Sequence, residues 1–368
     1  MGPQSNTSAS KTSSRVAWSS EFNAISDLTS TSAGVTGAVT INESKYLVGL
    51  DSEGRLIWRI ENDADPLLIA KECLLYALMD RRIISIDSFN GVVVATREID
   101  PPLGGWSKAN AIFLGDDLLL ADSGGLQLLA ATNLETKWKL AVHLNSDDAI
   151  QQLAHNPPWF AAISNKKVML FSEQGELRWQ RELPQGTRIV GSYPLIFVSD
   201  RLLVGLARTV MPNERFLYEL SLRGEHGTEM IINDLAMFCP SHVSQDVLVL
   251  DTSTGLAGFK MVDTLQRWWS IDVSITLGVC VTRGGDILVS AWRGTLLRVA
   301  FESGQSEVLL RLPEKTVWIP PAPNLEPGRH SESTGVIEHL AVSRNGIAFS
   351  VTWSKDQAAI QFIEHSWN

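Results

Sequence analysis

Cysteine is scarce in this chain: three in 368 residues, Cys73, Cys239 and Cys280. They are odd in number, far apart and set in apolar runs, so the expectation is buried, reduced thiols in a cytoplasmic protein rather than a disulfide framework. An export signal is also missing from the sequence as it stands, because the first fourteen residues, MGPQSNTSASKTSS, have neither an apolar core nor an amphipathic pattern. They read as a disordered tail over 1–14. No apolar run is long enough to cross a bilayer, and the stretch 66–79 is interrupted by Lys71 and Glu72. Positive charge is in short supply: 31 Lys and Arg against 41 Asp and Glu leave a net charge of −10. Such an average surface repels the phosphates of nucleic acids and anionic membranes, so neither is expected as a partner. Nor does any segment carry the apolar repeat of a long amphipathic helix.

What the chain does have is one short pattern written many times. Residues 45–60, KYLVGLDSEGRLIWRI, read as a hairpin in which Tyr46, Val48 and Leu50 alternate with Leu47 and Gly49. Asp51 to Gly54 supply the turn, and a second strand returns with Trp58 at its middle. Trp18, Trp58, Trp138, Trp179 and Trp269 all fall in such strands, at steps of 40, 80, 41 and 90 residues. A period near 40 accounts for these steps if some copies have lost the ring.

Laid out at that period, the copies fall at about 23–60, 66–99, 109–142, 149–183, 188–232, 234–273 and 274–312. An eighth begins near 336 and stops one strand short, while residues 15–22, RVAWSSEF, stand at the other end as an orphaned last strand. Pairing that strand into the last sheet closes a ring by hydrogen bonds. Residues 15–368 divided by eight give about 44 per copy, inside the range of known blade repeats. The expected fold is an all-β, eight-bladed β-propeller of four-stranded antiparallel blades as a single domain over 15–368, with seven blades as the alternative. Each anchor tryptophan is expected to bury roughly 150–250 Å² between neighbouring sheets. Copies two, five and seven carry Ala95 or Thr96, Met230 and Leu309 in the tryptophan's place.

The hairpin resembles the repeat of the quinoprotein-like (pyrroloquinoline quinone repeat) β-propellers, in which a small residue is followed two later by an aspartate, then a turn glycine and a tryptophan four beyond. Gly49, Asp51, Gly54 and Trp58 match with one residue fewer in the turn; Ser85, Asp87 and Gly91 keep the full turn; Gly175 and Trp179 keep the spacing. The Gly-His and Trp-Asp signatures of WD repeats are absent. In that family eight blades serve either quinone-dependent dehydrogenases or non-catalytic scaffolds, such as an outer-membrane assembly lipoprotein that binds other proteins. The dehydrogenases set two adjacent cysteines against the quinone, whereas the nearest two here are 41 residues apart. The resemblance therefore implies the scaffold branch, with no cofactor and no enzymatic activity.

The residues themselves add no chemistry to that picture. Seven histidines show no metal-ligand spacing, no cysteine pair supports zinc, and neither a phosphate-cradling glycine loop nor a nucleophile elbow occurs. More informative are two insertions, 207–215 (ARTVMPNER) and 313–335 (PEKTVWIPPAPNLEPGRHSESTG). The first lies between the second and third strands of its copy and the second between two copies, so both project from one rim of the disc. Arg208, Met211, Glu214 and Arg215 on the first, and Trp318, Ile319, Arg329 and His330 on the second, are the expected protein-binding residues. The expected role is a monomeric, cytoplasmic scaffold or adaptor that holds another protein at this rim, a complex subunit or a toxin. The alternatives are a channel-centred hydrolase or small-ligand sensor, and a periplasmic assembly-factor-like propeller without its signal peptide.

Overall fold

The structure, a computed structural model, describes residues 16–102, 105–142, 144, 148–190, 194–211, 214–224, 227–231, 242–244, 247–261, 265–273, 275–281, 285–291, 293–319, 329–333, 335–343, 345–354 and 357–365, with the side chains of 231, 242–247, 275–281, 315–319 and 329–333 left aside. The expected tail at 1–14 lies outside these residues.

Strand burial follows the sequence pattern. Second strands such as Leu74–Met79 and Trp159–Ser164 are apolar without a break and buried along nearly their whole length, whereas outer strands such as Val93–Glu98 and Leu177–Glu182 are largely exposed. A strand apolar on both faces needs a covering layer on each side. Neighbouring blades supply it.

The chain is an all-β, eight-bladed propeller. Blades 1 to 4 span 24–62, 67–98, 111–141 and 150–182, each with four antiparallel strands in chain order. Blade 5 spans 187–231 and differs in one respect: its first strand is split into Thr187–Ile189 and Leu195–Val198, both paired with Arg201–Arg208. Blades 6 and 7 span 242–272 and 275–311. Blade 8 takes Val336–Val342, Gly346–Ser354 and Gln357–Glu364 from the C-terminal end and Val16–Phe22 from the N-terminal end. Trp18 pairs with Phe362 across that seam, and the two rings stack with centroids 5.4 Å apart.

The apolar core lies between blades rather than within them. Among the described residues there are eight clusters, one at each joint, running from Ala38, Leu47 and Trp58 against Leu75 and Ile86 at joint 1–2 round to Val39 and Val48 against Ala348 and Ile360 at joint 8–1. Eight joints rule out the seven-bladed alternative.

The anchor rings cross these joints. Trp18, Trp58, Trp179 and Trp269 each donate their indole N–H to a carbonyl in the hairpin turn of the following blade, at Ser52, Ser88, Leu222 and Phe301. The rings lie against that turn's glycine, Gly54, Gly91, Gly224 and Gly304, where a Cβ would come within 3 Å. Trp138 lies over Gly175 less tightly, with 3.4 Å to where a Cβ would stand. So the glycine and tryptophan of one hairpin serve different joints: Gly54 receives Trp18, and Trp58 is delivered to Gly91.

Where the tryptophan is lost, the joint says why. Blade 2 places Tyr76 in its second strand, and the phenol O–H donates to the Ala131 carbonyl, which holds the turn position of Ser88 one blade on. Blade 7 delivers Leu309, 1% exposed, to blade 8, which has no hairpin turn because its third and fourth strands come from opposite ends of the chain. Met230 packs against the cluster of blade 6.

One expectation fails. Cys73 is exposed, in the turn between the first two strands of blade 2 beside Glu72, whose φ is 53°. The apolar run around it belongs to two strands, and the cysteine falls at their junction. Cys239 lies outside the described residues, as does the side chain of Cys280.

Candidate interaction surface

Antiparallel blades sort the loops onto two faces. Strand 2–3 loops and the links between blades share one face, which we call the link face; strand 1–2 loops and strand 3–4 turns share the other, the turn face.

The first insertion is on the link face but shorter than its sequence suggested. Strand pairing continues to Ala207 opposite Arg215, so only 209–214 form the loop. Its base is fastened by Thr209, whose N–H donates to the Gly186 carbonyl at 2.8 Å. Arg208 is held by Glu229 at 2.6 Å, has Glu214 at 3.8 Å, and lies 4.7 Å from the Phe216 ring centroid. Arg208 and Glu214 are thus engaged within the chain. Arg215 begins the third strand near Asp251, whose carboxyl desolvation pushes up to about 6 even though the guanidinium opposes the rise. What the loop does offer is apolar: Met211 is 56% exposed, and its neighbour Val210, missed in the sequence, is 86% exposed.

The second insertion contains a hairpin, because KTVWI and RHSES pair as Lys315–Ile319 and Arg329–Ser333. Trp318 stands opposite His330 and Ile319 opposite Arg329, so the four predicted residues gather on one two-stranded ribbon. Their side chains lie outside the described residues. This ribbon, in the link from blade 7 to blade 8, shares the link face with the blade 5 loop but is separated from it by blades 6 and 7.

At the channel mouth on the link face, sequence reading missed a charged centre. Asp27, on the innermost strand of blade 1, is 4% exposed and accepts the N–H groups of Leu28 and of Leu68 in blade 2 at 2.7 and 2.8 Å. Lys108, from the single helical turn before blade 3, approaches it at 2.7 Å, and His339 Nδ1 of blade 8 lies 3.8 Å away. Burial depresses the affinity of His339 for a proton; Lys108 acts the same way, while the Asp27 and Glu338 carboxylates oppose it. A carboxylate in the apolar run Ala24–Leu28 was the available signal, since an unpaired charge there would be costly. No group of three or more His, Cys, Asp or Glu among the described residues is placed to hold a metal ion.

The turn face carries the larger apolar surface. Leu56 and Ile57, which open the outer strand of blade 1, and Phe89, Val92, Val93 and Val94 of blade 2 make up half of the exposed large hydrophobic side chains among the described residues. They stand at adjacent blade ends, since Gly91 of the blade 2 turn sits against Trp58 of blade 1. Phe89 also lines a depression of about 1020 Å³ with Trp18, Cys73 and Phe362.

These features belong to a β-propeller, and solved propellers are what the chain is similar to. BamB from Moraxella catarrhalis superimposes with a TM-score of 0.56 at 13% identity, over 95% of this chain and 99% of that one. The Pan2 WD40 domain of Neurospora crassa gives 0.51 at 13% identity, over 82% and 90%. At such identity the likeness establishes the fold alone. No protein-family model matches the chain, and no curated protein is recognisably related to it in sequence. Among the described residues, no helix is long and apolar enough to cross a membrane.

Proposed function

We propose that this chain is a non-enzymatic protein-interaction scaffold that takes its partner mainly on the exposed apolar surface of blades 1 and 2. The observation that carries the reading is the gathering of Leu56, Ile57, Phe89 and Val92–Val94 in the open at adjacent blade ends. Apolar patches of this kind on a folded protein mark contact surfaces. Val93 and Val94 also open an outer strand whose backbone edge is unpaired, and no charged side chain guards it before Arg97. The blade 5 loop tip, Val210–Met211, adds a second apolar contact on the link face. A channel-centred activity is disfavoured because Asp27 and Lys108 already satisfy each other. The free thiol of Cys73 supports a reducing, cytoplasmic setting. A complex subunit or a toxin fits the partner's role.

The test is quantitative recovery of partners by the tagged full-length chain from its own cells. Phe89→Glu with Val93→Glu is expected to remove the partner while the melting temperature holds, since both residues are exposed. Val210→Glu with Met211→Glu is expected to weaken recovery less. Full recovery with all four substitutions refutes the reading.

A further inference from the structure

Two depressions meet on the link face. One, of about 710 Å³, lies at the channel mouth, and the other, of about 1070 Å³, lies over the outer part of blade 2. Ala64, Met79 and Asp80 line both, so together they form one groove from the mouth towards the rim. Its floor is apolar. Trp106 is pinned there by its indole N–H, which donates to the Met79 carbonyl at 2.7 Å, and Pro101 and Ile99 continue the floor on either side of the shared residues.

The walls are unbalanced in charge. Each cation that lines the groove is already held by a carboxylate: Lys108 by Asp27, Arg82 by Asp63 at 2.9 Å, and Arg81 by Asp100. Among the described residues, Asp80 and Glu98 line it without an ion pair, and Glu338 accepts the hydroxyl of Thr352 at 2.7 Å. Burial lowers the affinity of His339 for a proton, which works against its adding positive charge to this wall.

We propose that this groove docks a basic, extended segment of a protein partner. Lysine or arginine side chains of that segment meet Asp80, Glu98 and Glu338, and the apolar residues between them rest on Met79 and Trp106. Charge complementarity of this kind selects a partner and speeds its capture. The inference rests on the scaffold reading for the existence of a partner, and it specifies that partner's chemistry.

A fluorescein-labelled nonapeptide of alternating lysine and leucine, titrated with the full-length chain and followed by anisotropy, tests it. The lysine peptide is expected to bind, more weakly as salt rises, and its glutamate counterpart is not. Asp80→Lys with Glu98→Lys is expected to weaken binding about tenfold. Both side chains are exposed, so an unchanged melting temperature checks the fold, and Glu53→Lys on the turn face is expected to leave binding unchanged. Equal binding of the two peptides, or a lysine-peptide affinity untouched by the double reversal, overturns the proposal. Neither result bears on the apolar surface, because Phe89 and Val93 do not line the groove.

Discussion

At the joint between blades 1 and 2, Trp58 reaches out from the outer strand, covers Gly91 and donates to the Ser88 carbonyl at 2.8 Å. At the next joint the outer strand offers only Ala95 at that place, and Tyr76 donates to the Ala131 carbonyl at 3.0 Å from two strands further in. Tyr76, Ser85 and Ala95 are cross-strand neighbours in one row, as Thr36, Gly49 and Trp58 are in blade 1. The aromatic group has moved along the row and the small residues have moved with it. Both joints meet the same need, because the turn carbonyl faces the neighbouring blade and a buried acceptor without a donor is costly. Even the turn keeps its shape: Leu134 takes the place of the turn glycine with φ at 58°. A propeller repeat can therefore lose its signature residue and keep its joint.

Emptying the tryptophan joint should have the largest effect. Trp58 is 7% exposed, and Trp58→Ala is expected to cost about 3–5 kcal/mol in urea unfolding, the usual range for removing a buried aromatic ring. Trp179→Ala should cost less, since that ring is only partly buried; equal losses would show that the ring's burial does not set its contribution. Next comes Gly91→Ala. Its Cβ would stand 2.7 Å from Trp58 at a φ of +72°, so a loss of about 1–3 kcal/mol is expected. The same change at Gly105, also at positive φ but with nothing within 4 Å of its Cβ, should cost less, and a reversed order would deny the close approach.

Tyr76→Phe leaves the ring and removes only the donor, so a loss of about 1–2 kcal/mol is expected. This joint should also respond to alkali where its neighbour does not. Burial raises the Tyr76 phenol from 10.0 to about 12, assisted by the charges of Cys73 and Asp117. A group with a raised folded pKa holds its proton more tightly in the folded state, so its contribution is complete below pH 10 and disappears as pH climbs through 12. The stability difference between the natural chain and Tyr76→Phe should shrink over that window. A difference that stays constant to pH 12 would mean the phenol does not bridge the joint.

Much of the ring was legible beforehand because its determinants are local. Gly54 and Trp58 four apart, the alternation in KYLVGL, and the surplus strand RVAWSSEF opposite a deficient last copy each follow from short-range pattern and from the need to close a sheet. The candidate surface was less legible. Arg208 and Glu214 looked available in ARTVMPNER, yet Glu229, two strands away in the same blade, claims Arg208. Phe89 and Val92 looked like ordinary strand and turn residues, and only their place beside Leu56 makes them a patch.

By itself, then, the order of amino acids determined the number of blades, the place where they close and the existence of anchors, because each depends on strand period and turn chemistry within about forty residues. Tertiary structure alone decided which residue fills a joint when the tryptophan is gone, which charges are already spent, and where apolar side chains are left in the open. Those outcomes depend on neighbours one blade or more away, and pairwise energies between such residues leave no periodic trace in the chain.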